Sequence, residues 1–168
     1  MYYRVILQCS QSVQNVEGWL DKTEKFAADK QLDRRDLLNG RLAPDMKPLI
    51  YQLQSACDYL KAAAAWLSGQ APPKHDDFEQ TFDELRARIR KTVAFVEGVP
   101  ESQYAGAKDR RIKLSWEPGK VITGDDYLLQ ITIPNIYFHI SMTYAILRKA
   151  GVDVGKMDFL GPMNFVDA

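Results

Sequence analysis

Apolar residues along this chain recur mostly in alternating steps of three and four, the spacing that lays one stripe down an α-helix. The first stripe, Tyr2, Ile6, Cys9, Val13, Val16 and Leu20, predicts a helix that fades near Asp29-Lys30. A polar connection with a short turn around Leu37-Leu38 then leads to Asp45. Asp45 is a candidate N-cap, and it places Pro48 in the first helical turn, where a missing N–H costs little. The second stripe runs Met46, Leu49, Leu53, Ala56, Leu60, Ala63 and Leu67 until Gly69 stops it and Pro72-Pro73 marks a loop. A third helix is expected to open at Asp76-Asp77, with Glu79 and Gln80 three residues on completing two overlapping capping boxes. Its stripe is Phe78, Phe82, Leu85, Ile89, Val93 and Val96, ending at Gly98-Val99-Pro100. The opposite face carries Glu84, Arg86, Arg88, Arg90 and Lys91 and reads as solvated.

The period then changes. Ile112, Leu114 and Trp116 alternate with polar residues, Pro118-Gly119 suits the centre of a type II turn, and Val121 and Thr123 resume the alternation. That predicts a small β-hairpin covering one end of the bundle. A fourth helix follows from Gly124-Asp125 to Gly151, kinked by Pro134 with a carbonyl released near Gln130. The tail after it is expected to pack Phe159-Leu160. The predicted fold class is all-α: a four-helix up-down bundle, one domain over residues 1–168, with a small β-hairpin between helices three and four.

Composition narrows the function classes. Lysine plus arginine equals aspartate plus glutamate at 22 each, so no long-range field favours nucleic acid or an anionic membrane. Two cysteines, Cys9 and Cys57, both on apolar faces, are too few for a disulfide framework and match no metal spacing. The stretch from Leu128 to Leu147 lacks charged side chains and is long enough to span a bilayer, but Gln130, Thr132, Asn135, His139, Ser141 and Thr143 load it with polar groups. It reads as a helix buried in protein. Residues 1–10 hold only the short apolar run Val5-Ile6-Leu7 and no signal peptide, so the expected location is cytoplasmic.

That same helix carries the candidate chemistry. At about 100° per residue, Leu128, Thr132, Asn135, Ile136, His139, Thr143, Ile146 and Ala150 share one arc, the inward face. A bundle helix normally fills such a stripe with leucine, whereas here Thr132, Asn135, His139 and Thr143 occupy its middle. Buried polar groups need partners, so these must bond one another, water or a ligand. The plain alternative is a satisfied core histidine with threonines bonded back to their own helix. The other histidine, His75, lies in a Pro-rich loop beside two aspartates and is expected to be exposed and uninvolved.

These residues resemble the DinB-like superfamily of four-helix bundles, many of them metal-dependent. In that superfamily the fourth helix carries a His-x-x-x-His pair, then a Leu-Arg-x-x-Gly ending and a Thr-Asp-like turn. Leu147-Arg148-Lys149-Ala150-Gly151 and Met157-Asp158-Phe159-Leu160 stand in those places, which puts His139 at the second histidine and Asn135 at the first. A third histidine belongs to a Leu-x-x-His pattern on the second helix; Leu49-Ile50-Tyr51-Gln52 places glutamine there. The runs Arg41 to Met46, Pro134 to His139 and Ala145 to Arg148 are similar to a branch known only as a domain of unknown function.

The resemblance implies a degenerate metal set of His139, Asn135 and Gln52, one imidazole with two neutral carboxamides. It therefore implies no cofactor, or a weakly held divalent metal, and a hydrogen-bonded cluster of the three side chains with room for a water. Three functions stay open. As a relative of thiol-dependent transferases, the protein would use His139 as ligand or general base, with Gln52, Asn135 and Thr143 orienting substrate and Tyr51 and Trp116 as pocket walls. As a non-catalytic module, it would keep the pocket for a small-molecule ligand. As a structural bundle, it would use the cluster to fix helix register, with a homodimer the expected assembly.

Overall fold

The first stripe folds into two helices almost in line, α1 (Tyr2–Gln14) and α2 (Val16–Lys30), with Asn15 between them keeping right-handed helical torsions. This computed structural model describes residues 1–167. A short helix α3 (Arg34–Leu38), capped by the Asp33 side chain, leads to α4 (Leu49–Ser68). The cap of α4 is Pro48 rather than Asp45. A residue preceding proline is steered away from the helical region, which disfavours a start before Pro48, and Pro48 itself is extended.

Helix α5 (Phe82–Glu97) also starts later than its pattern suggests. Its capping box is Thr81 with Glu84, not Asp76-Asp77 with Glu79 and Gln80. Glu79 and Asp77 are instead drawn to Arg88, and residues 70–80 form no helix, leaving Phe78 exposed. The face expected in solvent is only partly there. Arg86 and Arg88 are 8% and 3% exposed, each held by carboxylates from other elements.

The long helices form a four-helix bundle around Trp19, Leu53, Leu60, Ile89 and Ile136, with both cysteines buried and free. Side-chain pairs fix their directions. Glu24 meets Arg86 and Glu17 meets Arg90, so α2 and α5 are antiparallel. Asp58 meets Arg88 and Gln70 meets Gln103, so α4 and α5 run the same way. The order is therefore up, down, down, up, and the segment 69–81 must travel back along the bundle to join the two parallel helices.

Past two short 3₁₀ turns, β1 (Arg111–Ile112) and β2 (Ile122–Thr123) make the small antiparallel hairpin, pairing Arg111 with Thr123 and Ile112 with Ile122. Lys120 N–H donates to the Glu117 carbonyl at 3.2 Å and Gly119 takes φ 82°, as a type II turn requires. Ile112 is buried, and Leu114 and Ile122 pack on this end of the core.

The last bundle helix runs unbroken over the expected span, with a change of winding inside it. It consists of a short α6 (Gly124–Asp126), a π turn (Tyr127–Thr132) and α7 (Ile133–Ala150). The widened turn lies just before Pro134, which has no N–H to offer the preceding turn and whose ring crowds it. Asn135 Nδ2 donates to the Ile131 carbonyl, one turn back, at 2.7 Å. The loosened winding breaks the uniform wheel: Leu128, Thr132, His139, Thr143 and Ile146 are buried, but Asn135 is half-buried and Ala150 exposed. Finally α8 (Lys156–Leu160) seats Phe159 on Trp19 while Leu160 stays exposed. Among the described residues no helix is long and apolar enough to cross a membrane.

Candidate functional site

His139 projects from α7 toward the start of α4, where Gln52 meets it: Nδ1 lies 2.8 Å from Gln52 Oε1. The other end of that carboxamide is fixed too, because Gln52 Nε2 donates to the Lys47 carbonyl at 3.0 Å. The carbonyl is free to accept because Lys47 precedes the helix. With its nitrogen turned to Lys47, Gln52 presents only an acceptor to the ring, so His139 carries its proton on Nδ1. Nε2 then holds a lone pair. It has no hydrogen-bond partner among the described residues and is not sealed from solvent, although the residue as a whole is 8% exposed. Burial lowers the pKa of the imidazole below the usual histidine value, which keeps the ring neutral at pH 7.

Three aromatic rings surround this histidine. Tyr59 stacks on it at 5.7 Å and 21°, Phe138 meets it edge-on at 5.2 Å, and Tyr51 edge-on at 6.3 Å. The Lys47 ammonium lies over the Tyr51 ring, 5.3 Å from its centroid. Tyr59 is two turns after Gln52 on α4, a same-face spacing that could have flagged it. Phe138 gives no such signal, since a neighbour in sequence points elsewhere on a regular helix.

The remaining candidates separate. Thr143 is buried and donates to the His139 carbonyl at 2.9 Å, the back-bond available to any helical threonine. Asn135 spends its amide nitrogen on Ile131 and has no bond to His139 or Gln52. Tyr51 is at the site and 40% exposed. Trp116 stands on the hairpin and lines a neighbouring cleft of about 180 Å³, which it shares with Tyr59. A three-donor metal centre does not fit this arrangement. Gln52 Oε1 is engaged by the histidine proton, one imidazole nitrogen is left, and no group of three His, Cys, Asp or Glu among the described residues could hold an ion.

A family model described as Domain of unknown function (DUF1993) matches residues 1–160. The chain belongs to the DUF1993 family. Its fold is DinB-like: a solved structure described as a DinB family member protein from Shewanella denitrificans is 43% identical, with 97% of this chain and 93% of that chain covered and a TM-score of 0.93. No curated protein matches this DUF1993 chain.

A second constellation lies where the segment 69–81 crosses the parallel helices. Arg88, on α5, reaches Asp58 on α4 at 2.9 Å, Asp77 at 2.8 Å and Glu79 at 3.0 Å. Glu79 also accepts from Gln54 at 2.8 Å, and Lys61 reaches Asp58 at 2.8 Å. His75 is half-buried here rather than exposed; it lines a cavity of about 130 Å³ with Glu79, Arg88 and Lys91, and its Nδ1 is buried without a partner. Burial, then the cations Lys61, Lys91 and Arg88, push its pKa down to about 4. The pattern of α5 alone does not reveal this cluster, because the partners of Arg88 come from α4 and a loop.

Proposed function

We propose that this DUF1993 protein is a non-catalytic binding module in which His139 Nε2, held as a neutral acceptor, receives a hydrogen bond from a small, flat ligand. One observation supports the reading above the rest: the relay from the Lys47 carbonyl through Gln52 to His139 Nδ1 orients a buried imidazole and leaves its second nitrogen unspent. A core histidine present only for packing would have both nitrogens satisfied within the protein. The walls of Tyr51, Tyr59 and Phe138 favour an aromatic or thiol-bearing neutral molecule over an anion, since a neutral imidazole cannot neutralise charge. No divalent metal is needed for this role.

Phenol is the test probe, being flat, uncharged and a hydrogen-bond donor. Titration followed by long-range proton–nitrogen NMR is expected to shift His139 Nε2 saturably, and His139→Phe to abolish binding. Benzoate is expected to bind far more weakly. If phenol leaves Nε2 unmoved while small thiols and phenols fail to stabilise the fold, the binding reading is lost and the structural one stands. That second reading has its own support in Leu129 and Phe138, which are 54% and 51% exposed on the last bundle helix and would be covered in a homodimer. Sedimentation of the wild type against Leu129→Lys checks it: a dimer converted to monomer favours it, and a monomeric wild type removes it.

A further inference from the structure

Beside the histidine site, aromatic side chains from three elements converge on one cleft of about 180 Å³. Tyr59 and Trp66 come from α4, Tyr127 from the π turn and Trp116 from the hairpin connection, with Leu114 and Asp58 completing the wall. Trp66 and Tyr127 hold each other edge-to-face at 5.3 Å, so that part of the wall is rigid. Trp116 lines the cleft while remaining 66% exposed. Aromatic faces carry negative electrostatic potential, and several of them around a small space attract an organic cation that sheds water at little cost.

The charge distribution points the same way. Asp58 is the one charged residue lining the cleft, and neither Lys61 nor Arg88, which pair with it from behind, is part of the lining. Arg88 also meets Asp77 and Glu79, so its charge is shared among three carboxylates rather than spent on Asp58 alone. The aromatic walls exclude a hydrated metal ion, and a carboxylate as the one charged group of the lining disfavours an anion.

We propose that this cleft binds a small alkylammonium cation, caged by Tyr59, Trp66 and Trp116 with Asp58 as its counter-charge. The site does not use His139 Nε2 and shares only Tyr59 with the phenol-type ligand above, so Trp66 and Trp116 report on it separately. The test titrates the intact protein with tetramethylammonium chloride against sodium chloride of equal strength, following the three tryptophan indole signals by NMR. Trp66 and Trp116 are expected to shift saturably. Trp19, whose indole donates to the Asp158 carbonyl, is expected to stay and so to report an intact fold.

tert-Butanol, neutral and of similar size, is expected to bind at least about tenfold more weakly, because only the cation gains the ring attraction. Trp116→Ala is expected to weaken tetramethylammonium binding at least about fivefold, with Trp116→Phe retaining part of it. Absence of a saturable shift, equal affinity for the cation and the alcohol, or an unchanged Trp116→Ala would each overturn the proposal.

Discussion

Replacing Arg88 with methionine is expected to destabilise this protein by about 3 kcal/mol, the low end for breaking a buried ion pair from one side. The residue is 3% exposed and its guanidinium serves three carboxylates on two other parts of the chain. Those carboxylates do not suffer equally. Asp77 is more than half exposed and can turn to water, and Asp58 keeps Lys61. Glu79 is the costly one, 5% exposed at its side chain and left with only the Gln54 amide. Methionine preserves most of the side-chain volume, so the loss is electrostatic rather than a cavity. Urea unfolding measures it. For a domain of this size, about 3 kcal/mol corresponds to a fall of roughly 6–12 °C in Tm. Adding Glu79→Gln to the Arg88→Met background is expected to recover most of the stability, since no uncompensated charge then remains buried. A loss below about 1 kcal/mol, the scale of a surface pair, or additive single effects would refute the buried-pair account.

Acid sensitivity follows from His75, whose pKa is lowered from 6.5 to about 4 by burial and neighbouring cations. Its contribution is fully present above the unfolded value and is lost as pH falls from 6.5 toward about 4, where the unfolded chain takes up the proton first. His75→Asn should flatten the fall in stability over that window. His139→Leu should cost about 1–3 kcal/mol by leaving Gln52 Oε1 buried without a donor, and Gln52→Leu in the same chain should restore most of it, read by chemical denaturation. Thr81→Ala should cost about 1 kcal/mol through loss of the α5 cap, while Asp76→Ala, at a fully exposed position, should be nearly neutral; equal losses would contradict the observed helix start.

The bundle helices are legible in the chain because each buries a stripe of three- and four-residue steps, from Ile6 to Leu20 on the first helix and from Leu49 to Leu67 on α4. Local chemistry is legible where it depends on neighbours: Gly69 and Gly151 end helices in left-handed torsions, and Pro118-Gly119 forms its turn. Helix starts are less so. Asp76-Asp77 and Thr81 both offer capping patterns, and the choice is made by Arg88, which needs Asp77 and Glu79 in a loop. That need arises from α4 and α5 running parallel, a tertiary fact that amphipathicity cannot express, since the stripe of a helix is the same read in either direction. The burial of Arg86 and Arg88 is hidden for the same reason.

In the candidate site, the inward placement of His139 and Thr143 follows from the wheel. The partnership of His139 with Gln52 depends on the Lys47 carbonyl preceding Pro48, and the diversion of Asn135 onto Ile131 depends on the π turn. Neither has a periodic signature. Of the DinB-like pattern positions, His139 and Gln52 meet across the two helices while Asn135 bonds its own helix, a division made by hydrogen bonds the pattern does not encode.

Ligand binding at this site requires a neutral His139 protonated at Nδ1, with an available Nε2 lone pair. Long-range proton–nitrogen correlation on nitrogen-labelled protein at pH 7 reads this directly. A proton-bearing Nδ1 and a pyridine-type Nε2, persisting as pH is lowered through 6.5 and lost on Gln52→Leu, is the predicted result. A ring protonated at Nε2, or one cationic at pH 7, would contradict it.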